Sequence, residues 1–313
     1  MNLQQLRYVG EVARRGLSVS EAAAALHTSQ PGVSKQIRAL EEELGAAIFV
    51  RQGRRLTAMT EAGREIVEGV ERILAEIANL RSVAEEHAHH AKGHLAVGVT
   101  HTQARYAAPK VVTAFKKRFP DVKLKLLQGN PHQLARMVVA READLAIATE
   151  ALAEYPQLVS VPAFQWHHAV VVPKGHALAK VKPLTLEAIA KHPIVTYDPT
   201  FAGRTSIDRT FSTRGLHPEF ALTALDSDVI KSYVSLGLGV GIVAEMATHN
   251  AKQEGLEVLD ASHLFPAQTT RIAFRKGAYL RGYTIEFIRL FAPNVRGEDL
   301  KQLEGAAGEN FSI

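Results

Sequence analysis

Apolar residues near the start of the chain recur with the spacing of short amphipathic helices. Leu3, Leu6 and Val9 fall on one face of a first predicted helix. Ser18 stands three residues before Glu21, the spacing of a capping box, in which the serine hydroxyl and the glutamate carboxylate each accept a backbone amide. A second helix is therefore predicted to begin at this point.

A third helix is predicted from residues 28–37, which read TSQPGVSKQI. Ser29 can cap the helix, and Pro31 suits its first turn, where a missing amide costs nothing. Apolar residues then follow at spacings of four, three and four as far as Leu44, and Gly45 is a stop signal. The pattern predicts a helix with one buried face.

The opposite face of the third helix carries Gln30, Ser34, Lys35 and Arg38. Two helices joined by a short turn at residues 27–28, with amide, hydroxyl and cationic groups exposed on the second, are typical of a helix-turn-helix. In such a motif the second helix enters the DNA major groove and contacts base edges and phosphates. The alternative is a helical hairpin that packs only against itself. For the DNA-binding set we take the helix start, Thr28, Ser29, Gln30 and Pro31, together with Ser34, Lys35 and Arg38.

Residues 48–56 predict a short hairpin that carries Arg51, Arg54 and Arg55 around Gly53. Arginines on a hairpin tip are often only solvated surface. Directly after a helix-turn-helix, however, they are well placed to contact phosphates or enter the minor groove. We therefore expect a winged helix-turn-helix domain over residues 1–59.

An uninterrupted helical pattern extends over residues 60–92. Its apolar positions recur at alternating spacings of four and three, with charged residues between them. This stripe needs a partner, and a dimerisation linker helix is the favoured interpretation over packing against the rest of the same chain. The stripe comprises Ile66, Val70, Ile73, Ile77, Leu80 and Ala84.

From residue 93 the pattern changes to short apolar strands that alternate with helices. Strands at 94–99, 122–127 and 144–148, with helices at 105–119 and 131–140, form a βαβαβ order and predict a parallel sheet. Further strands are predicted at 158–161, 169–172, 193–197, 219–223, 241–244 and 271–274, and further helices at 186–191, 205–213, 228–236 and 279–290. Such α/β sheets bind ligands beyond the carboxyl ends of their strands. The tail beyond residue 293 is expected to add little structure.

Composition narrows the classes of function. A length of 313 residues fits about two domains, and a net charge of +5 is compatible with a polyanionic partner. The absence of cysteine excludes disulfides, thiol catalysis and cysteine-ligated metals. Because neither a signal peptide nor a membrane-spanning stretch is apparent, we expect a cytoplasmic protein without a membrane partner.

Two other classes of protein, an enzyme and a solute-binding transport protein, fit the sequence less well. An enzyme is disfavoured because no nucleophile elbow, zinc-protease motif, Walker loop or dinucleotide fingerprint appears, and the glycines at 237–241 precede a strand. A metal role for His87, His89 and His90, with His94 or His101, lacks a carboxylate arrangement that would fix a geometry. No catalytic residue, metal or cofactor is therefore expected. A solute-binding transport protein would suit the second half, but the basic first domain argues against it.

Specific segments resemble the LysR-type transcriptional regulators. In the first domain they are LQQLRY at 3–8, TSQPGVSKQI at 28–37, LEEELG at 40–45, FVR at 49–51 and LTAMTEAG at 56–63. Further along, THTQARY at 100–106, ADLAIATE at 143–150 and DSDVIK at 226–231 resemble the sulfur-assimilation branch of that family, to which the CysB and Cbl regulators belong.

The resemblance implies an effector domain of the periplasmic-binding-protein type over 93–313, with a small ligand between two α/β lobes. One lobe would comprise about 93–163 and 268–292, the other about 164–267. It also implies a homotetramer, a dimer of dimers, that binds promoters and recruits RNA polymerase as an activator. The genes would serve sulfate assimilation and cysteine biosynthesis or, as for Cbl, sulfonate use. The implied effectors are acetylserines, sulfate and related sulfur oxyanions.

Four polar residues are predicted to form one wall of an anion-binding site. Thr100 ends the first strand of the effector domain, Thr102 and Gln103 begin the next helix, and Thr149 ends another strand of the same sheet. Hydroxyls, a side-chain amide and free helix amides would then converge without any basic residue. The alternative is that these threonines only cap strands and a helix.

The second wall is expected from residues 199–205, with Gly203 allowing close approach of the backbone. Where the resemblance implies a ligand-contacting threonine, this chain has Ala202, so that a sulfate preference does not carry over unchanged. Thr200 or Thr205 could replace the hydroxyl, or the ligand could differ. Trp166, beside His167 at the predicted crossover between lobes, is expected either to line the pocket or to pack in the core.

Overall fold

The computed structural model describes residues 1–53, 55–88 and 92–295. Arg54, His89 and His90 therefore lie outside the described residues, as does the tail after 295. The chain divides into two compact units, Met1–Glu85 and Glu86–Ile313. No helix in the described ranges is both long and apolar enough to span a bilayer.

The first unit is a helical bundle followed by a hairpin and a long helix. Its elements are α1 (Leu3–Arg14), α2 (Val19–Ala25), α3 (Gln30–Leu44), β1 (Phe49–Gln52), β2 (Arg55–Met59) and α4 (Glu61–Ala88). The amide of Glu21 donates to Ser18 Oγ, and the amide of Gly32 donates to Ser29 Oγ, each at 3.3 Å. Gly45 ends α3 in the left-handed conformation, with φ of +66°. The predicted starts of α2 and α3 and the end of α3 are confirmed.

The start of α4 packs into the core of this unit. Gly63 lies so close to the hairpin that a Cβ there would stand 1.9 Å from the Ile48 carbonyl oxygen. Val70 is buried in the same core as α1 and α3. Further along, Ile73 is 42% exposed and Leu80 is 69% exposed. The apolar stripe of α4 thus begins in the core and continues onto the surface.

The second unit alternates strands and helices. In chain order they are β3 (Gly93–Val99), α5 (Ala108–Arg118), β4 (Val122–Gln128), α6 (Pro131–Val139), β5 (Leu145–Ala148), β6 (Leu158–Trp166), β7 (His168–Pro173), α7 (Leu186–Ile189), β8 (Ile194–Tyr197), α8 (Ala202–Ser212), β9 (Phe220–Ala224), α9 (Ser227–Ser235), β10 (Val240–Ala244), β11 (Leu256–Asp260), β12 (Gln268–Arg275) and α10 (Gly282–Phe291).

The strands form two five-stranded sheets, each with its own apolar core. The first sheet has the order β4-β3-β5-β12-β6 and the second β11-β7-β10-β8-β9. β3, β4 and β5 are parallel, but β12 is antiparallel to both β5 and β6. The predicted parallel order of β3, β4 and β5 is confirmed, whereas β12, which enters the same sheet late in the chain, runs antiparallel to both of its neighbours.

Strand β6 continues to Trp166, five residues beyond its predicted end, and pairs with β12 as far as Gln268. The chain then passes into the second sheet, where β7 begins at His168. At this crossover between the sheets, the ends of strands from both sheets lie close together. The lobe boundaries proposed near residues 163 and 268 stay predictions.

A π-helical turn, Gln103–Ala107, precedes α5. Pro109 explains it, since a proline inside a helix has no amide to donate and its ring crowds the carbonyl four residues earlier. The wider turn relieves that conflict. Turns of this kind are frequent at functional sites. In this turn Gln103 is buried, whereas Tyr106 contacts Asp228 of α9.

Candidate effector site and DNA-binding surface

A small cavity of about 40 Å³ lies where strands of the two sheets end. At about 10–15 Å³ for each water molecule, it has room for roughly three waters or one small ion. It is lined by Thr100, Thr102, Gln103, Pro131, Thr149, Trp166, Tyr197, Phe201, Gly203 and Ala244. Six of these residues were named from the sequence and Phe201 falls in the stretch predicted as the second wall, whereas Pro131, Tyr197 and Ala244 are additional.

The topology explains why these residues meet. Thr100 follows β3 and Thr149 follows β5, which are neighbouring parallel strands, so their ends lie side by side. Trp166 is the last residue of β6 in the same sheet. Tyr197 ends β8 in the second sheet and closes the cavity from the opposite side.

Three buried polar atoms on residues around the cavity have no hydrogen-bond partner in the described part of the chain: Thr149 Oγ1, Trp166 Nε1 and Gln103 Oε1. Gln103 is 2% exposed and Trp166 is 5% exposed. Leaving such a group unpaired costs about 1–3 kcal/mol. The Gln103 amide nitrogen donates to Thr270 Oγ1 at 2.9 Å. A half-turn of the amide, with Thr270 donating instead, gives the cavity an N–H donor in place of an acceptor.

Two helix starts add backbone donors. The helical turn after β3 begins with a bond from the Ala104 amide to the Thr100 carbonyl, at 2.9 Å. The amides between them are the first-turn amides that a helix leaves unpaired. At the second start, Gly203 lies in the first turn of α8 and lines the cavity. Both helix N-termini carry a partial positive charge that favours a bound anion.

Charged side chains are absent from the lining among the described residues. The cavity therefore offers hydroxyl, indole and amide groups together with helix N-termini. Groups of this kind stabilise a small anion by hydrogen bonding rather than by ion pairing. This is the chemistry predicted from the sequence.

Thr200 and Thr205 lie elsewhere. The Thr200 hydroxyl donates to Asp198 Oδ1 at 2.7 Å, and its amide donates to the same oxygen at 2.9 Å. These two bonds lower the pKa of the Asp198 carboxyl. Both threonines line a separate groove of about 540 Å³. Neither Thr200 nor Thr205 therefore supplies the small cavity with the hydroxyl that the resemblance implies at position 202.

His168 is a buried neighbour that sequence reasoning did not single out. Its ring packs edge-on against Trp166, with centroids 5.1 Å apart, and against Phe265 at 5.5 Å. Neither ring nitrogen has a partner within the described chain. Burial, with a smaller contribution from His167, lowers the pKa of His168 to about 4. A Cβ on Gly203 would lie 3.4 Å from His168 Nε2, so this histidine backs the wall formed by α8.

Polar contacts join the π-helical turn to α9 of the second sheet. Arg105 Nε lies 2.7 Å from Asp228 Oδ2, and Tyr106 donates its hydroxyl to Asp228 Oδ1 at 2.5 Å. Lys231, buried, contacts Asp228 at 3.2 Å and Glu254 at 3.0 Å. Burial raises the pKa of Asp228, but the Tyr106 hydrogen bond and the Lys231 and Arg105 charges outweigh it and hold that pKa below its ordinary value.

His101, Asp226 and Asp228 lie close enough together to share a metal ion. Arg105 and Lys231 already neutralise Asp228, however, and Asp226 caps α9 by accepting the amides of Asp228 and Val229. The cluster therefore lacks the uncompensated negative charge that a cation needs.

The first unit carries the residues for which DNA contact is predicted from the sequence. Gln30, Lys35 and Arg38 are exposed on α3, while Ser34 is half-buried. Ser29 is occupied as the helix cap, Pro31 occupies the first turn, and Thr28 lies exposed before it. On the hairpin Arg55 is exposed.

Arg51 has a structural contact instead of a free side chain. Its guanidinium lies 2.7 Å from Glu41 Oε2, and Glu41 Oε1 accepts the amides of Ile48 and Phe49 at 2.8 and 3.1 Å. Glu41 thereby joins α3 to the hairpin. This role of Arg51 could not be separated from DNA contact by spacing alone.

Comparison with known proteins agrees with this architecture. A model of the LysR substrate binding domain matches residues 88–296, and one of the bacterial regulatory helix-turn-helix proteins of the lysR family matches residues 3–64. The transcriptional regulator CysB of Burkholderia cenocepacia is 49% identical over 313 residues, 100% of both chains. The transcriptional regulator SsuR of the same organism is 52% identical over 303 residues, 97% of this chain and 98% of that one.

A solved structure of the cofactor-binding domain of the Cbl transcriptional regulator matches with a TM-score of 0.66 and 45% identity, over 67% of this chain and 92% of that chain. These relatives are regulators, which rejects the enzyme and transport alternatives. With two family models matched in chain order and relatives that span its whole length, the chain belongs to the LysR family of DNA-binding transcriptional regulators.

Proposed function

We propose that this regulator controls genes of sulfur assimilation and cysteine biosynthesis in response to a small anionic effector bound in the cavity. The observation that carries the effector proposal is the set of buried, unpaired polar atoms on Gln103, Thr149 and Trp166 around a cavity without charged side chains. The similarity to CysB and SsuR supports the choice of gene class.

Sulfate or a related sulfur oxyanion fits the cavity best. Its oxygens accept hydrogen bonds in all directions, as the surrounding hydroxyl, indole and backbone donors require. An acetylserine is larger, so it would bind with its carboxylate in the cavity and the two sheets moved apart. An effector alters transcription only if it favours one arrangement of the protein over another.

On DNA, we propose that Gln30 and Ser34 contact base edges while Lys35, Arg38 and Arg55 hold phosphates. The exposed stripe of α4, with Leu80 69% exposed, is proposed to pair with a second copy of the chain. Two such pairs would form the tetramer that occupies a promoter and recruits RNA polymerase.

A regulator of sulfonate use is the second candidate. The 52% identity to SsuR favours it, as does Ala202, at a position where the resemblance implies a ligand-contacting threonine. Profiling of the promoters bound across a genome would distinguish the two gene classes.

The effector proposal is tested by isothermal titration calorimetry with sulfate, thiosulfate and O-acetylserine on the full chain. Thr149→Ala should weaken sulfate binding by about 5- to 10-fold, because one donor to the anion is lost. Thr113→Ala, on the exposed face of α5, is the matched control and should bind like wild type. Equal binding by wild type and Thr149→Ala would place the anion elsewhere.

A further inference from the structure

Three hydroxyl groups form a chain from the second sheet to the cavity. The amide of Ala244, at the end of β10, donates to the Tyr197 hydroxyl oxygen at 2.8 Å. The Tyr197 hydroxyl lies 2.7 Å from Ser227 Oγ, and Ser227 Oγ lies 3.3 Å from Thr102 Oγ1. Tyr197 and Ser227 are buried, and Thr102 reaches the cavity.

The first member of this chain favours one direction of hydrogen bonding. A backbone amide can only donate, so Tyr197 accepts from Ala244 and has one proton left to give. We assign the Tyr197 proton to Ser227 Oγ, which lies 2.7 Å away, rather than to Thr102, which is also within hydrogen-bonding reach of Tyr197, and we assign the Ser227 proton to Thr102. Thr102 thus accepts from Ser227, and its own proton is free to point into the cavity.

We propose that Tyr197 and Ser227 are positioning residues that make the Thr102 hydroxyl an obligate donor to the effector. This inference rests on the proposed function of the cavity as an anion site. Ser227 does not line the cavity and acts on the ligand only through Thr102. Tyr197 does line it, but its single proton is assigned to Ser227 and not to the ligand.

Two consequences follow for ligand choice. The ligand atom at Thr102 must be an acceptor, so an oxyanion oxygen is favoured there and a hydroxyl or ammonium group is not. An organic effector would therefore place its carboxylate at Thr102. In addition, Thr102 belongs to the first-sheet half while Ser227 and Tyr197 belong to the second, so the bond that orients the donor exists only when the two halves are close.

A purely structural role of Ser227 makes a different prediction. If Ser227 only supports the fold near α9, its removal should weaken binding whether or not Thr102 has a hydroxyl. If it acts through Thr102, its removal should matter only when that hydroxyl is present. A double-mutant cycle separates the two cases.

The experiment measures sulfate affinity of the full chain by calorimetry for wild type, Ser227→Ala, Thr102→Val and the double variant. We expect Ser227→Ala to lose about 3- to 10-fold in affinity alone and less than about 2-fold in the Thr102→Val background. Tyr197→Phe, a second variant that keeps the ring, should show the same dependence on Thr102. Ser235→Ala, an exposed serine of α9, is the control and should bind like wild type.

Each outcome has one meaning. Equal losses from Ser227→Ala in both backgrounds, or no loss in either, would overturn the relay while leaving the anion site intact. Absence of sulfate binding by wild type would instead overturn the proposed function. Circular dichroism spectra of all variants establish that they are folded, and Tyr197→Phe keeps the test open if Ser227→Ala does not fold.

Discussion

The carboxylate of Glu41 offers the sharpest test of how the DNA-binding unit is held together. It is buried, accepts the amides of Ile48 and Phe49 with one oxygen, and pairs with Arg51 through the other. Replacing it by alanine leaves two buried amides without an acceptor. Each such orphan costs about 1–3 kcal/mol, or about 2–6 kcal/mol together.

Arg51 adds little to this sum, because its side chain is 27% exposed and water can hydrate the guanidinium. A folded unit of 85 residues has a stability of roughly 4–13 kcal/mol. The loss is therefore a large fraction of the total. Glu41→Gln keeps an acceptor for the two amides and loses only the ion pair. We therefore expect it to lower the free energy of unfolding by about 1 kcal/mol.

Urea denaturation of the full chain, followed by circular dichroism, measures these differences. The transition of the first unit should move to lower urea for Glu41→Ala, and DNA affinity should fall with it as the hairpin separates from α3. Glu42→Ala, one residue along on the exposed side, is the matched control. Equal transitions for Glu41→Ala and Glu42→Ala would refute the reasoning.

Three further predictions concern other parts of the molecule. Because the pKa of His168 is about 4 in the folded state and 6.5 when unfolded, the unfolded state binds more protons between these values. The free energy of unfolding should fall by about 3 kcal/mol from pH 6.5 to 4, and His168→Met should reduce that slope in pH-dependent denaturation. Arg38→Ala should weaken specific DNA binding by about 1–3 kcal/mol, and wild-type affinity should fall steeply with salt in fluorescence anisotropy; salt-insensitive binding would contradict a phosphate-contacting surface. Leu80→Lys should shift the sedimentation coefficient towards a monomer while Arg81→Ala does not; an unchanged oligomer would place the interface elsewhere.

Local signals made the DNA-binding unit predictable. Ser29 and Gly45 delimit α3 because capping and left-handed backbone depend on residues within one turn. The threonines that line the cavity could also be predicted from the sequence, since Thr100 and Thr149 each follow a buried apolar strand. Neighbouring parallel strands end at the same edge, which was enough to expect their convergence.

Non-local contacts account for what the sequence did not reveal. Strand β11 has one buried position followed by alternating half-buried and exposed ones, and it carries two acidic residues, so no continuous apolar run marked it. The antiparallel entry of β12 depends on pairing with β5, more than a hundred residues earlier. Local patterns contain no information on such pairings.

The same limit applies to the site. The bond between Thr102 and Ser227 joins residues 125 positions apart, and the burial of His168 results from Trp166 and Phe265 packing around it. Spacing also placed Thr200 beside the cavity, whereas its hydroxyl is bound to Asp198. A hydrogen bond between residues close in sequence thus holds this side chain outside the site that its position in the chain suggests.

The location of a bound anion tests the central claim most directly. Crystals of the full chain soaked in selenate, a scatterer with the shape and charge of sulfate, should give an anomalous difference peak in the cavity, within hydrogen-bond distance of Thr100, Thr149 and Trp166. A peak confined to another site, or none in the cavity at a concentration that saturates binding in solution, would contradict an effector site built from uncharged donors.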